Sequence, residues 1–148
     1  MSASQELAKL NPDFISVTYG AGGSTRSYTL ELAESLQEKT ATPALAHLTC
    51  LGSKKETIDR ITKELSEKKI ENILALRGDY PPSSNECDLP CDFKYASDLV
   101  QYLKQIGDFC IGGACYPEGH PEARDMKTDL ENLKIKVDSG VSQLASQL

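Results

Sequence analysis

The stretch NILALRGDYPP, residues 72–82, decides the fold class of this 148-residue chain. Four consecutive apolar residues lead to Arg77, Gly78 and Asp79, and two prolines then end the segment. A short apolar run bounded by turn residues is typical of a buried strand. Because burying either charge without a partner would be costly, the tip of this strand is either a solvated turn or a site that uses the charges.

Strand-like segments of the same kind recur about every thirty to forty residues and are separated by helical patterns. They are residues 12–20, 43–50, 71–78, 108–116 and 141–148. This alternation predicts βαβ units that build a parallel sheet of about five strands.

The helices between these segments are marked by their caps and apolar faces. Ser53 and Glu56 have the spacing of a capping box, which predicts a helix that buries Ile58, Ile61 and Leu65. The other predicted helices run from Thr25 with Leu32, Ala33 and Leu36 on one face, from Tyr95 with Ala96, Leu99, Val100 and Leu103, and from Pro121 to the residue before Gly140 with Met126, Leu130, Leu133 and Val137.

The faces of the strands distinguish a barrel from an open sheet. In a barrel one face looks into the lumen and the other at the helices, so alternate residues should differ in character. The faces expected to become small or polar toward the carboxyl end are Leu45, His47 and Thr49; Ile73, Ala75, Arg77 and Asp79; and Cys110, Gly112, Ala114 and Tyr116. We therefore predict an α/β fold of the incomplete TIM (β/α)8 barrel type, with its lumen open to a ligand at the carboxyl ends.

The alternative is an open doubly wound sheet, which would carry a phosphate-binding loop after its first strand. YGAGGST, residues 19–25, lies at that place but lacks the G-x-G-x-x-G spacing, and no acidic residue ends the next strand. A tight turn between a strand and a helix explains these glycines equally well.

Composition excludes several classes of protein. A net charge of −6 argues against a nucleic-acid partner, which a basic surface would bind. Residues 1–14 lack the pattern of a signal peptide, and no apolar segment approaches the roughly 20 residues that span a bilayer, so we expect a cytoplasmic protein. The five cysteines fit reduced thiols, and the pair Cys87 and Cys91 lacks the further ligands of a zinc site, so we expect no metal.

Polar residues lie at or just beyond the carboxyl ends of four consecutive predicted strands, and parallel strands would bring them to one edge of the sheet. They are Ser16 and Thr18, His47 and Thr49, Arg77 and Asp79, and Tyr116, Glu118 and His120, with a polar stripe of Asp125, Asp129, Asn132 and Lys136 on the last helix. Each feature taken alone has a simpler structural explanation. His47 could be a residue of the rim, Arg77 and Asp79 could form an exposed ion pair, and the polar stripe could be a solvated helix face. Their coincidence favours a ligand site.

Several segments occur in the order and spacing of a known family. They are PDFISVTYGAGGSTR at 12–26, AHLTC at 46–50, ILALRGD at 73–79, YASDLV at 95–100, YPEGHPEA at 116–123 and DLENLKIKVDSG at 129–140. From about residue 7 onward the chain resembles the methylenetetrahydrofolate reductases, flavoproteins that reduce 5,10-methylenetetrahydrofolate to 5-methyltetrahydrofolate. The resemblance implies an eightfold barrel that binds FAD at the carboxyl ends of its strands, takes hydride from NAD(P)H and passes it to the folate.

The resemblance also implies roles for individual residues. Thr18 is expected near the nicotinamide, Gln147 at both substrates, and Asp79 between flavin and folate, where a carboxylate stabilises the cationic iminium formed as the methylene bridge opens. The expected FAD contacts are Thr18, Tyr19, Ala21, His47, Arg77, Gly78, Asp79, Tyr95, Ala96, Ala114, Tyr116 and His120, with Asp129, Asn132 and Lys136 at the ribityl and phosphate portion. Ile135 stands where bacterial relatives often carry an arginine near the phosphates.

The size of the chain bears on its activity. A complete barrel takes roughly 250 residues, so residues 1–148 are expected to form one partial domain with family strands 2 to 6. The first strand, with its general-acid glutamate, and the last two strands are expected to be absent. The alternative is therefore a fragment that binds flavin or a protein partner without turnover. Full-length members of the family are expected to be homo-oligomers.

Overall fold

A computed structural model describes residues 3–18, 26–40, 42–79 and 92–147. The described strands are β1 (Ile15–Val17), β2 (Ala44–Thr49), β3 (Asn72–Leu76), β4 (Cys110–Cys115) and β5 (Gln143–Ser146). The described helices are α1 (Ala3–Ala8), α2 (Arg26–Thr40), α3 (Lys55–Glu67), α4 (Ala96–Ile106) and α5 (Met126–Asp138). The strands pair in chain order and all in parallel, which gives a curled half-barrel and confirms the predicted incomplete α/β barrel.

The main core lies between the sheet and its helices. Leu48, Ile73 and Ile111 project from neighbouring strands and are completely buried against the helices, where Leu65 of α3 and Leu99 of α4 belong to the same cluster. Each of these side chains is worth about 1.5–3 kcal/mol when fully buried. This layer therefore holds the carboxyl ends of the central strands in place.

The pairing register corrects one expectation about strand faces. Ile73 and Ala75 were expected on the lumen side, but both belong to the cluster that packs against the helices. Leu74 instead lies opposite His47 and Gly112, on the inner face of the curled sheet. Leucine and isoleucine are both apolar, so their order alone does not reveal which face turns outward.

Two helix details also differ from expectation. Leu30, rather than Leu32, is buried with Ala33 and Leu36 on α2. The prediction of a capping box at Ser53 is wrong, because the N-cap residue of α3 is Lys54. Among the described residues, the side chain of Lys54 makes no capping hydrogen bond. The cap comes from a distant carboxylate: Oδ2 of Asp92 accepts a hydrogen bond from Lys55 N at 2.9 Å.

The last two helices bracket the region of the candidate site. On α4 the predicted residues Ala96, Leu99, Val100 and Leu103 are buried. Helix α5 begins at Met126 and not at Pro121, because Asp125 is its N-cap and accepts a hydrogen bond from Thr128 N at 2.7 Å. None of the residues of α5 is buried.

Among the described residues, no helix has the length and apolar character needed to cross a membrane.

Replacing Asp92 by alanine should destabilise the protein by about 1 kcal/mol, because the first turn of α3 loses its capping carboxylate. Ser53→Ala is the matched control and should change the free energy of unfolding by less. Urea unfolding followed by circular dichroism measures both. A larger loss in Ser53→Ala than in Asp92→Ala would contradict the observed cap.

Candidate functional site

A cavity of about 420 Å³ lies at the carboxyl ends of β3 and β4, bordered by helices α4 and α5. Five parts of the chain form its wall: the end of β3, the first turn of α4, the end of β4, the loop that follows β4, and one face of α5. The lining residues are Arg77, Tyr95, Ala96, Ser97, Ala114, Cys115, Tyr116, His120, Glu122, Ala123, Asp129, Asn132, Leu133, Ile135 and Lys136. The wall therefore combines aromatic, cationic, polar and apolar groups.

The guanidinium of Arg77 is held on this wall by Glu122. Its two terminal nitrogens, Nη1 and Nη2, donate to Oε2 and Oε1 of the carboxylate at 2.6 and 2.7 Å. Such a two-point contact fixes the plane of the guanidinium as well as its position. The hydrogen bonds from Arg77 hold the pKa of Glu122 below its usual range, so the carboxylate is ionised at neutral pH.

The loop after β4 orders a second part of the wall. Nδ1 of His120 accepts a hydrogen bond from Glu122 N at 3.1 Å, and the ring meets Tyr116 edge to face with centroids 4.6 Å apart. The backbone N–H of His120 donates to Oδ2 of Asp129 at 3.1 Å, which ties the loop to α5. Tyrosine, imidazole and carboxylate thus keep fixed relative positions around the cavity.

Lys136 crosses from α5 to the end of β4. Its Nζ donates to Ala114 O at 2.7 Å. Burial lowers the pKa of Lys136, and the negative charge of Asp129 opposes this shift. Glycine at position 113 makes the approach possible, because a Cβ there would lie 3.1 Å from Cδ of Lys136. The cavity therefore holds a partly desolvated cation close to a polar backbone edge.

His47 occupies the inner face of the sheet, in the middle of β2. Burial lowers the pKa of its imidazole, which favours the neutral ring. Within the described parts of the chain, its buried Nε2 has no hydrogen-bond partner. A buried polar atom without a partner is uncommon and costs stability, so this nitrogen is suited to a ligand.

The turn after β3 exposes the carboxylate of Asp79. Gly78 has a φ of +90°, a region that L residues rarely adopt, and a Cβ there would lie 3.2 Å from Cβ of Thr49. The chain thus bends sharply over the end of β2, and Asp79 is exposed at the carboxyl edge. Arg77, which precedes the bend, lines the cavity.

The structure brings nine of the candidate residues together at the cavity: Arg77, Tyr95, Ala96, Ala114, Tyr116, His120, Asp129, Asn132 and Lys136. Thr18, His47, Gly78, Asp79 and Gln147 are described but do not line it. Tyr19 and Ala21 lie outside the described residues. In the described part of the chain, no group of three or more His, Cys, Asp or Glu residues is arranged to hold a metal.

Sequence reasoning did not single out Glu122, although it lies within YPEGHPEA. The signal was present, since a carboxylate in a motif next to a predicted site is a candidate partner for the arginine. Its partner, however, is 45 residues away in the sequence. Only the parallel pairing of β3 with β4 shows that the two side chains meet.

Fold and cavity define a protein of the incomplete α/β-barrel class with a cavity at the carboxyl ends of its strands, the edge where α/β barrels bind their ligands. The family model for methylenetetrahydrofolate reductase matches residues 1–148. The chain belongs to the methylenetetrahydrofolate reductase family.

Individual relatives agree with this assignment. The 5,10-methylenetetrahydrofolate reductase of Pectobacterium carotovorum is 41% identical over 146 residues, which cover 99% of this chain and 47% of that protein. The enzyme of the same name from Escherichia coli is 41% identical over 141 residues, covering 95% and 46%. Methylenetetrahydrofolate reductase 2 of Schizosaccharomyces pombe is 41% identical, covering 93% and 23%. The chain therefore spans about half the length of the bacterial relatives.

A comparison of folds adds a distant neighbour. The crystal structure of 2,3-dimethylmalate lyase, a member of the PEP mutase/isocitrate lyase superfamily, matches with a TM-score of 0.60 at 10% identity. The match covers 97% of this chain and 52% of that one. At this identity the likeness concerns the fold alone.

Lys136→Met tests how much the desolvated charge of Lys136 lowers the free energy of unfolding. The folded-state pKa of Lys136 lies below its value in the unfolded chain, so the protonated lysine opposes folding until the unfolded state also loses its proton near pH 10.5. The stability of the parent relative to the methionine variant should therefore rise as the pH increases from neutral toward about 10.5. Urea unfolding of both proteins at several pH values measures this difference, and a pH-independent difference would show that Lys136 is not desolvated.

Proposed function

We propose that this chain contributes the flavin site of an enzyme that reduces 5,10-methylenetetrahydrofolate to 5-methyltetrahydrofolate with NAD(P)H and bound FAD. The observation that carries the proposal is the cavity itself, whose wall contains nine residues expected at the cofactor from the family resemblance. These residues come from separate parts of the chain, between Arg77 and Lys136, and meet only through the fold. The chain belongs to the family by its sequence, and the cavity supports the finer assignment.

The chemistry of the wall suits FAD, a ligand with an aromatic ring system, hydroxyl groups and phosphates. Tyr95, Tyr116 and His120 offer flat or edge-on surfaces for the ring. Asp129 and Asn132 supply hydrogen-bonding groups for hydroxyls. Lys136 supplies positive charge, whose desolvation a phosphate would offset.

The first turn of α4 adds a feature that favours an anion. Tyr95 is its N-cap, and Ala96 and Ser97 line the cavity. The first N–H groups of a helix have no partner within the helix and carry partial positive charge, so they bind anionic groups. Asp98 in the same turn accepts hydrogen bonds from Lys94 N and Tyr95 N at 2.9 Å, just before the first helical N–H groups. The turn lines the same cavity as Lys136 and Asn132, and we assign the phosphates to these groups.

The residues outside the cavity fit the remaining steps. When bound, FAD supplies the redox chemistry, taking a hydride from the nicotinamide and giving it to the folate. Asp79, exposed beyond the bend at Gly78, would place its carboxylate beside the positive charge that develops on the folate as the methylene bridge opens. The neutral imidazole of His47 would meet a polar group of the ligand through its Nε2.

Addition of FAD to the purified protein, followed by NADH or NADPH under anaerobic conditions, tests the assignment. The expected result is a yellow protein whose flavin absorbance bleaches on addition of reduced nicotinamide. Bound flavin that does not bleach would favour a binding protein without turnover. A protein that stays colourless at saturating FAD would contradict the proposed cofactor.

In a complete enzyme that carries this segment, Asp79→Asn should slow reoxidation of the reduced flavin by methylenetetrahydrofolate by roughly a hundredfold, the scale of losing one electrostatic stabiliser. Reduction by NAD(P)H should change much less, because the iminium cation that Asp79 is proposed to stabilise forms only in the folate half-reaction. Stopped-flow absorbance measures the two half-reactions separately. Asp138→Asn, an exposed carboxylate on α5, is the matched control and should leave both rates unchanged. Equal slowing of both half-reactions by Asp79→Asn would contradict this role.

A further inference from the structure

The geometry points to Glu122 as a positioning residue of the cofactor site, which holds the Arg77 guanidinium and the His120 ring on one wall of the cavity before a ligand arrives. The inference rests on the proposed function for its ligand, and its contacts are those of the structure described above. Glu122 lies on the cavity wall and connects two of its parts. One part is the end of β3, and the other is the loop between β4 and α5.

The first contact is electrostatic. The Arg77 side chain is 20% exposed, whereas that of Glu122 is 59% exposed. A mostly covered guanidinium has lost much of its hydration and needs a partner that keeps hydrogen bonds to it. The two hydrogen bonds from Nη1 and Nη2 meet this need and fix the plane of the cation.

The second contact acts through the backbone. Glu122 N donates to Nδ1 of His120 at 3.1 Å, so this nitrogen carries the lone pair and a neutral ring has its proton on Nε2. The same ring lies edge to face against Tyr116. One residue therefore orients a cation through its side chain and an imidazole through its main chain.

The charge of Glu122 has a consequence for a redox ligand. Replacing it by glutamine makes the wall one unit more positive, while the side chain keeps nearly the same shape. Reduction adds negative charge to a flavin, and a more positive surrounding stabilises that charge. Loss of the carboxylate should therefore shift the midpoint potential of bound FAD to a more positive value.

The decisive comparison is Glu122→Gln against Glu131→Gln. Glu131 is an exposed carboxylate on α5 that pairs with Lys127 at 4.0 Å, so the control removes the same charge from an exposed pair. Spectroelectrochemical titration should show a more positive FAD potential in Glu122→Gln and an unchanged one in Glu131→Gln. Glu122→Asp, which retains the charge, should restore part of the difference. Equal potentials in the parent and in Glu122→Gln would overturn the inference.

A second background tests whether Glu122 acts through Arg77. In the parent, Glu122→Gln should broaden or shift the absorbance spectrum of bound flavin, because the guanidinium of Arg77 loses its fixed position. In Arg77→Met that guanidinium is gone, so adding Glu122→Gln should change the spectrum less. The spectral change and the FAD dissociation constant are measured for all four members of the cycle. Identical effects of Glu122→Gln in both backgrounds would mean that Arg77 is not positioned by Glu122.

An experiment without flavin separates this inference from the proposed function. In the apo protein, the Nη–H groups of Arg77 should give slowly exchanging NMR signals in the parent and in Glu131→Gln. These signals should be averaged or lost in Glu122→Gln. Equal signals in all three proteins would overturn the positioning role. If they differ as expected but FAD does not bind, the positioning holds and the proposed flavin function fails.

Discussion

The parallel pairing of β3 with β4 is the constraint on which the site depends. Ile73 lies opposite Ile111, and both are completely buried against the helices. Because both strands run in the same direction, their carboxyl ends meet at one edge, and Arg77 and Tyr116 follow those ends directly. A slip of one residue would turn Ile73 or Ile111 toward the inner face and expose the core layer. The apolar core thus fixes the position of the polar groups that line the cavity.

The cavity holds charged groups that a purely structural region would avoid. Lys136 is desolvated enough to lower its pKa, and the mostly covered guanidinium of Arg77 depends on a carboxylate from another element. The buried Nε2 of His47 also has no partner within the described residues. Such departures from the rules of stable packing concentrate at functional sites, where a ligand offsets their cost. The same features therefore support a ligand site at this edge of the sheet.

The sequence was sufficient for the order of elements and for most of the residues at the cavity. Alternation of apolar strands with amphipathic helices predicted the parallel sheet, and local periodicity identified Ala96, Leu99 and Leu103 as the buried face of α4. The family resemblance, rather than periodicity, suggested that Asp129, Asn132 and Lys136 belong to a site. Without it the polar stripe on α5 would fit a solvated face.

The remaining features depend on contacts between residues far apart in the chain. The cap of α3 comes from Asp92, which is 37 residues beyond Lys55, so the local pattern at Ser53 was misleading. The outward face of β3 could not be chosen between Leu74 and Ile73, because both are apolar and only the pairing register distinguishes them. The partner of Arg77 was missed for the same reason, since Glu122 becomes its neighbour only in the folded sheet.

The most direct test of the account is a map of FAD binding by backbone amide NMR. The account predicts that FAD perturbs the amides at the first turn of α4, at the end of β4 and along α5 near Asp129 and Lys136, while the amides of α1 stay unchanged. Perturbations confined to α1 and the amino ends of the strands, or none at saturating FAD, would contradict the claim that this cavity is the cofactor site.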